Sequence, residues 1–233
     1  MCSLLPNVTS SSELTMSDWL AWQVVDSAFP IGVFAHSWGV EAAWQSGHVP
    51  DSEALQRFLQ ASIQQTGYGA LPFLSASYRR PDKLAALDHL ADTFLINRVT
   101  NRASRVQGRT LVATAARVWP SDAMSNLVAQ ATSGHAHVAP LSGCVFQVIG
   151  LPVETARKVM LYGTARGVLA AAVRLGIVGS YQAQRMQHQA QPWLDTTLEQ
   201  CGALGPEDVC QTAPILDLLQ AGHDRLYSRL FQS

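Results

Sequence analysis

The sequence has few charged side chains and almost no lysine. Charged residues make up 14% of its 233 positions, against about 25% in an average globular domain. Lys83 and Lys158 are the only lysines, and the formal net charge is −1. A nucleic-acid-binding protein needs a basic surface that neutralises phosphates, so we set that class aside. Hydrophobic residues make up 48%, enough for a sizeable core, and we expect partner proteins to cover much of the weakly charged surface.

Cysteine is scarce and long apolar runs are missing. The four cysteines, Cys2, Cys144, Cys201 and Cys210, form no C-x-x-C pair, which argues against a disulfide framework and a zinc knuckle. No apolar run approaches the roughly 20 residues that a membrane span needs. Residues 1–15 lack the basic and apolar regions of a secretory signal, so we interpret them as a mobile leader, with Met16 as an alternative start. These features predict a cytoplasmic protein without membrane association.

The motifs of nucleotide and hydrolase chemistry are also missing. Neither lysine follows a phosphate-binding loop of the form G-x-x-x-x-G-K-[ST]. Asp26, Ser27, His36 and Ser37 lie close together in the sequence, but no G-x-S-x-G turn accompanies them. We therefore expect no enzymatic activity, no catalytic residue and no bound cofactor, and we keep a hydrolase only as a remote alternative.

Helical periodicity runs through the chain. Apolar positions between Leu55 and Ile63, between Leu84 and Leu95, and across 153–176 recur at helical spacing. Gly163 and Gly167 leave a smooth face in the third segment, which predicts close packing of another helix. Breaks at glycine and proline divide the chain into roughly ten helices, with no alternating strand pattern and no long linker. We predict an all-α, single-domain helical bundle over 16–233.

Histidine and cysteine offer weak candidates for metal binding. His135, His137 and Cys144 are near neighbours in the sequence, and imidazole or thiolate could hold nickel or zinc. On a helix the two histidines would point apart, whereas in a turn they could converge. Solvent contact or helix capping near Gly134 is the simpler interpretation, and we expect no metal site. His36 is likewise interpreted as a hydrogen-bonded structural histidine rather than a ligand.

Two segments could carry an interaction surface. Arg98, Arg102, Arg105 and Arg109 would form one stripe on a helix that continues from Asp82, unless Gly108 breaks it. The stripe is either a solvated face or an anchor for carboxylates and phosphates. The tail 223–233 mixes arginine, tyrosine, leucine and phenylalanine, the residue types enriched at interfaces. It either becomes ordered on a partner or folds back onto its own core.

The segment 26–41, DSAFPIGVFAHSWGVE, resembles the N-terminal signature of the UreF family of urease accessory proteins, D-S-A-[FL]-P-x-G-G-F-x-H-S-x-G-L-E. Val33 replaces the second glycine of that signature, and 177–180 departs from the family's usual turn. Further stretches agree in order, and together they cover the chain from about Trp19 to its end. They comprise 101–109, 137–143, 166–176, 211–220 and 229–233.

The resemblance implies an all-α homodimer and a UreF-like domain over 16–233. It implies a non-catalytic scaffold that bridges UreD (also called UreH) to the GTPase UreG, allowing GTP-dependent nickel insertion into apo-urease. GTP would then be bound by the partner GTPase, and nickel would be handled by the complex. The runner-up is an independent nickel-binding metallochaperone that uses His135, His137 or Cys144. From the family motif and residue type, we assign these positions to partner binding: Pro30, Gly32, Phe34, His36, Trp38, Arg102, Tyr227, Arg229, Leu230 and Phe231.

Overall fold

The computed structural model describes residues 16–31 and 35–232, and it gives only the helical backbone of Met16 and Ser17. This part of the chain forms twelve α-helices, three short 3₁₀ turns and no strand. The helices are α1 Met16–Val25, α2 Val40–Gln45, α3 Ser52–Gly69, α4 Leu71–Arg79, α5 Leu84–Phe94, α6 Arg98–Val118, α7 Asp122–Ser133, α8 Val138–Val148, α9 Val153–Arg174, α10 Ser180–Gln189, α11 Gln191–Cys201 and α12 Pro214–Ala221. The prediction of an all-α bundle of roughly ten helices is confirmed.

The first predicted helix corresponds to α3 and shows why the periodicity was informative. The Asp51 side chain accepts a hydrogen bond of 2.9 Å from the backbone N–H of Ala54 and so caps the N-terminus. Leu55, Phe58 and Leu59 are buried, as their spacing predicts. The helix ends at Gly69, and Ala70 alone separates it from α4, so the chain breaks between Gly67 and Pro72, as its glycine and proline positions predict.

The arginine stripe lies on one unbroken helix. The expectation that one helix continues from Asp82 through the arginines was wrong, because α5 ends at Phe94 and α6 starts at Arg98. Asn97 causes the restart, since its side chain accepts from the N–H of Val99 at 3.0 Å and caps α6. Gly108 is buried inside α6 and does not interrupt it. All four arginines therefore lie on α6. One of them, Arg102, contacts Asp224 in the turn that follows α12.

Helix α9 runs between the two main apolar clusters of the core. One cluster gathers side chains from α2, α3, α9 and α10, and it includes Phe231 near the chain end. The other gathers side chains from α4, α6, α7 and α8, with Phe29 from the N-terminal segment. Leu161 belongs to the first cluster and Ala156 to the second, so α9 joins both halves into one core.

The two glycines of α9 do not receive a neighbouring helix as predicted. A Cβ atom on Gly167 would lie 2.2 Å from Nε1 of Trp38, whereas one on Gly163 would have no heavy atom within 4 Å. The smooth face instead accepts an indole at Gly167 and borders a cavity of about 280 Å³ at Gly163. Close packing occurs, but the partner is the side chain of Trp38.

The chain ends in a strap across the surface. After α12, a 3₁₀ turn spans Gly222–Arg225, and residues 226–232 continue without helix. The N–H of Gln232 donates to the carbonyl of Ala35 at 2.8 Å. The guanidinium carbon of Arg174 lies 4.3 Å from the centroid of the Phe231 ring. The tail therefore folds back onto its own core. Throughout 16–31 and 35–232, no helix is long and apolar enough to cross a membrane.

Candidate partner-docking surface

The carboxylate of Glu41, the last residue of the 26–41 signature, anchors the strap. Its Oε1 accepts from the N–H of Leu230 at 2.6 Å, and its Oε2 accepts from the N–H of Phe231 at 3.3 Å. Glu41 is buried on α2, so these bonds act in a medium of low dielectric. Gln45, one turn later, donates through Nε2 to the carbonyl of Ser228 at 3.0 Å. Helix α2 thus holds the backbone of the tail at three points.

Two buried histidines complete this anchor. His223 Nε2 lies 3.1 Å from Glu41 Oε2, and both side chains are almost fully buried. His36 is buried beside them. Burial lowers the pKa of His36, and the nearby His223 lowers it further. A neutral imidazole at His36 suits this packed site, which agrees with its interpretation as a structural histidine.

The backbone of the signature is bent where it meets α12. Trp38 has a φ angle of 56° and Gly39 one of 82°, values that favour glycine and are uncommon for tryptophan. Gln220 on α12 donates through Nε2 to the carbonyl of Trp38 at 3.1 Å. The bend directs the Trp38 indole toward Gly167. The signature and α12 therefore fix each other's position.

Arg102 joins α6 to the same region. Its guanidinium donates twice to the Asp224 carboxylate, at distances of 2.7 and 3.1 Å, in the bidentate arrangement that arginine favours. This pairing lowers the pKa of Asp224, and the Arg102 hydrogen bond is the largest cause. Arg229 approaches Asp224 at 3.7 Å. Asp224 is thus shared between the arginine stripe and the tail.

The structure places most residues predicted for partner binding around this strap. Pro30 is exposed, and its carbonyl accepts from Thr114 at 2.8 Å. Tyr227, Arg229 and Leu230 are exposed on the strap, and Tyr227 is the most exposed of the large hydrophobic side chains in the described residues. His36 and Phe231 are buried within the chain, and Trp38 is half-buried. Gly32 and Phe34, like Val33, lie outside the described residues.

We name the surface formed by Tyr227, Arg229, Leu230 and Arg102 the tail surface. It brings together residues of the tail and of α6. The sequence did not predict how these segments join. Glu41 appeared only as the last letter of a motif, and His223 and Asp224 appeared only as part of the tail. Their role depends on contacts 122 to 190 residues apart in the sequence, which no local pattern reveals.

The metal candidates His135 and His137 lie in the connection between α7 and α8, which is not helical. Their rings face each other with centroids 6.1 Å apart. Both contact Asp92 on α5, His135 through Nδ1 at 3.4 Å and His137 through Nε2 at 3.0 Å. The two histidines therefore converge on a carboxylate, as the alternative of a turn allowed.

His137 has a structural hydrogen-bond network. Its Nδ1 lies 3.1 Å from the Ser104 hydroxyl, which also accepts from the N–H of Val138 at 3.3 Å and so satisfies the start of α8. The Asp88 carboxylate accepts from the N–H of His137 at 2.7 Å. Burial lowers the pKa of His137, although hydrogen bonding to Asp92 opposes that effect. Ser104, His137 and Asp92 are linked by hydrogen bonds, and these bonds hold α5, α6 and α8 together.

Cys144 does not join this cluster. It is fully buried on α8, and its thiol donates to the carbonyl of Ser77 on α4 at 3.6 Å. Burial raises the pKa of Cys144 to about 12, so the thiolate that a metal requires is strongly disfavoured. Among the described residues, no group of three or more metal-ligating side chains could hold an ion.

The fold and this surface define an all-α bundle that presents aromatic, apolar and arginine side chains on the strap 226–232, which α2 anchors. The family model for UreF matches residues 49–191, which cover α3 to α10. The chain belongs to the UreF family of urease accessory proteins, which confirms the resemblance found in the sequence.

Similar proteins cover nearly the whole chain. The urease accessory protein F of Arabidopsis thaliana is 35% identical, over 97% of this chain and 97% of that protein. The protein of the same name from Oryza sativa subsp. japonica is 34% identical, over 99% of this chain and 91% of its own length. A urease accessory protein UreF from the cyanobacterium Trichodesmium erythraeum is 31% identical, over 90% and 94% respectively. The likeness therefore extends beyond the matched segment to both ends.

Proposed function

We propose that this chain acts in urease maturation as a non-catalytic scaffold that bridges UreD (UreH) to the GTPase UreG. In this role it works as a homodimer in the cytoplasm, and the complex inserts nickel into apo-urease when UreG hydrolyses GTP. Family membership supports the part in urease maturation. The sequence has no phosphate-binding loop, which agrees with assigning the nucleotide to a partner.

The observation that carries this proposal is the way the tail is held. Glu41 and Gln45 fix the strap through its backbone, which leaves the side chains of Tyr227 and Leu230 exposed. A tyrosine, a leucine and an arginine on a fixed backbone lose little conformational entropy when a partner covers them. Such residue types supply most of the binding energy at interfaces. We assign partner binding to the tail surface and test it with UreD.

Assembly tests the proposal directly. The purified chain is examined by size-exclusion chromatography with light scattering, alone and mixed with its cognate UreD and UreG. We expect a dimer alone and a larger complex that contains all three proteins in the mixture. A chain that binds neither partner would overturn the scaffold role.

Matched variants of the tail separate binding from folding. Tyr227→Ala and Arg229→Ala are expected to weaken complex formation at least tenfold while leaving the circular dichroism spectrum unchanged, because both side chains are exposed. Phe231→Ala is the comparison, since Phe231 is buried and its removal lowers stability by about 3–5 kcal/mol. If Tyr227→Ala and Arg229→Ala bind UreD like the unchanged chain, the tail surface is not the docking site.

A further inference from the structure

A second histidine pair lies next to the His137 network. His89 is exposed on α5, and His135 follows the C-terminus of α7. Nδ1 of His89 and Nε2 of His135 are 3.4 Å apart, and the ring centroids are 5.6 Å apart. The two side chains are separated by 46 residues in the sequence. The sequence analysis grouped His135 with His137 and Cys144, and no local pattern pointed to His89.

The spacing of the two nitrogens fits a shared metal ion. Imidazole nitrogens bind zinc and similar ions at about 2.0–2.1 Å, so two of them on one tetrahedral ion lie about 3.3 Å apart. The observed 3.4 Å is close to that distance. An ion could therefore replace the proton between the rings with little movement of either side chain.

Asp92 orients the pair from behind. Its Oδ2 lies 3.4 Å from Nδ1 of His135, and its Oδ1 accepts from the Asn101 amide at 2.9 Å. A carboxylate on the far nitrogen of a histidine fixes its tautomer and leaves the other nitrogen free to bind a metal. With Asp92 near Nδ1, the Nε2 of His135 is the nitrogen that faces His89.

Within the part of the chain that the structure describes, this site has two protein ligands. Both nitrogens of His137 are used by Ser104 and Asp92, and the Asp92 carboxylate already accepts from several donors. This agrees with the finding that, in the described part of the chain, no three side chains form a metal site. Water would fill the remaining positions, as it does where a site stays open on one side.

We propose that His89 and His135 form a two-imidazole site for a divalent first-row transition ion such as Ni²⁺ or Zn²⁺. Imidazole suits these ions, whereas Mg²⁺ and Ca²⁺ prefer oxygen ligands. The site lies on α5 and the α7–α8 connection, and it is independent of the scaffold role. It also revises the metal-binding residues expected from the sequence. His137 and Cys144 have structural hydrogen bonds, and His89 takes their place beside His135.

The test is calorimetric titration of the full chain with Ni²⁺ and with Zn²⁺. We expect one ion per chain, and at least tenfold weaker affinity in both His89→Ala and His135→Ala. The double variant is expected to lose less affinity than the sum of the two single losses, because either single variant has already lost chelation. His188→Ala is the matched control, an exposed histidine on α10, and it should leave the affinity unchanged.

Three results would overturn the site. They are the absence of binding in the unchanged chain, equal affinity in His89→Ala, and additive losses in the double variant. Mg²⁺ binding with the affinity of Ni²⁺ would also contradict the assigned chemistry. Circular dichroism checks that each variant is folded. Complex formation with UreD and UreG is measured separately on the same variants, so failure of this site leaves the scaffold proposal standing, and the reverse also holds.

Discussion

His137 illustrates how one residue can join three helices. Its ring contacts Ser104 of α6 and Asp92 of α5, and its own backbone N–H, at the start of α8, donates to Asp88 of α5. The side chain is fully buried. Removing it leaves the Ser104 hydroxyl with one partner fewer and creates a cavity among three helices.

We expect His137→Ala to lower the free energy of unfolding by about 2–4 kcal/mol, because both its hydrogen bonds and its packing are lost. Urea denaturation followed by circular dichroism measures this. His188→Ala changes an exposed histidine and should stay within about 0.5 kcal/mol of the unchanged chain. A loss for His137→Ala as small as that of His188→Ala would contradict the structural role of His137.

The buried histidines also set a pH dependence. Burial is the main cause that lowers the pKa of both His36 and His137 in the folded state. In the unfolded chain both regain a pKa of about 6.5. The unfolded state therefore binds more protons in the window just below pH 6.5, and the free energy of unfolding falls as the pH falls through that window. At pH 7.5 both histidines are neutral in either state, so their contribution to stability is fully present.

We expect the chain to be less stable at pH 5.5 than at pH 7.5, and the difference to shrink in His36→Gln. Denaturation at both pH values measures the two free energies in each protein. His48→Gln serves as the comparison, since His48 is exposed. Equal pH dependence in His36→Gln and the unchanged chain would show that His36 does not contribute.

At the scale of helices, periodicity and capping residues predicted most of the architecture. Asp51 and the apolar spacing of 55–63 were sufficient for α3, because one helix face is buried and the cap is local. The sequence analysis missed the boundary between α5 and α6. Asn97 caps α6 only through the hydrogen bond from the N–H of Val99, which forms in the folded chain. The partner of Gly167 was also missed, because Trp38 reaches it from 129 positions away through a backbone of positive φ.

The two glycines of α9 provide a matched test of that contact. Gly167→Ala places a methyl group against the Trp38 indole, while Gly163→Ala places one in open space on the same helix. Alanine favours a helix over glycine by about 1 kcal/mol. We expect Gly163→Ala to be neutral or slightly stabilising, and Gly167→Ala to destabilise by about 1–3 kcal/mol through overpacking. Thermal unfolding of the two variants compares them, and equal melting temperatures would show that Trp38 moves aside freely.

At the scale of the whole molecule, the candidate surface depends on contacts that no single segment contains. The sequence identified the signature, Arg102 and the tail separately, through residue types and family resemblance. It could not reveal that Asp224 connects Arg102 to the tail, or that Glu41 fixes the strap, because these contacts form only in the folded chain. The same holds for His89 and His135, whose convergence requires α5 to pack beside the α7–α8 connection.

The pairing of Arg102 with Asp224 predicts how Arg102 contributes to partner binding. If Arg102 acts by holding the tail in position, removing either member of the pair releases the same contact. Arg102→Ala, Asp224→Ala and the double variant should then weaken UreD binding to a similar extent, giving a coupling energy close to the single losses. A direct contact between Arg102 and UreD would instead give losses that add. Binding titrations of the three variants decide between these outcomes. Arg57→Ala is the control, because its ion pair with Glu53 is exposed and remote in sequence from these segments, and such surface pairs contribute about 0–1 kcal/mol.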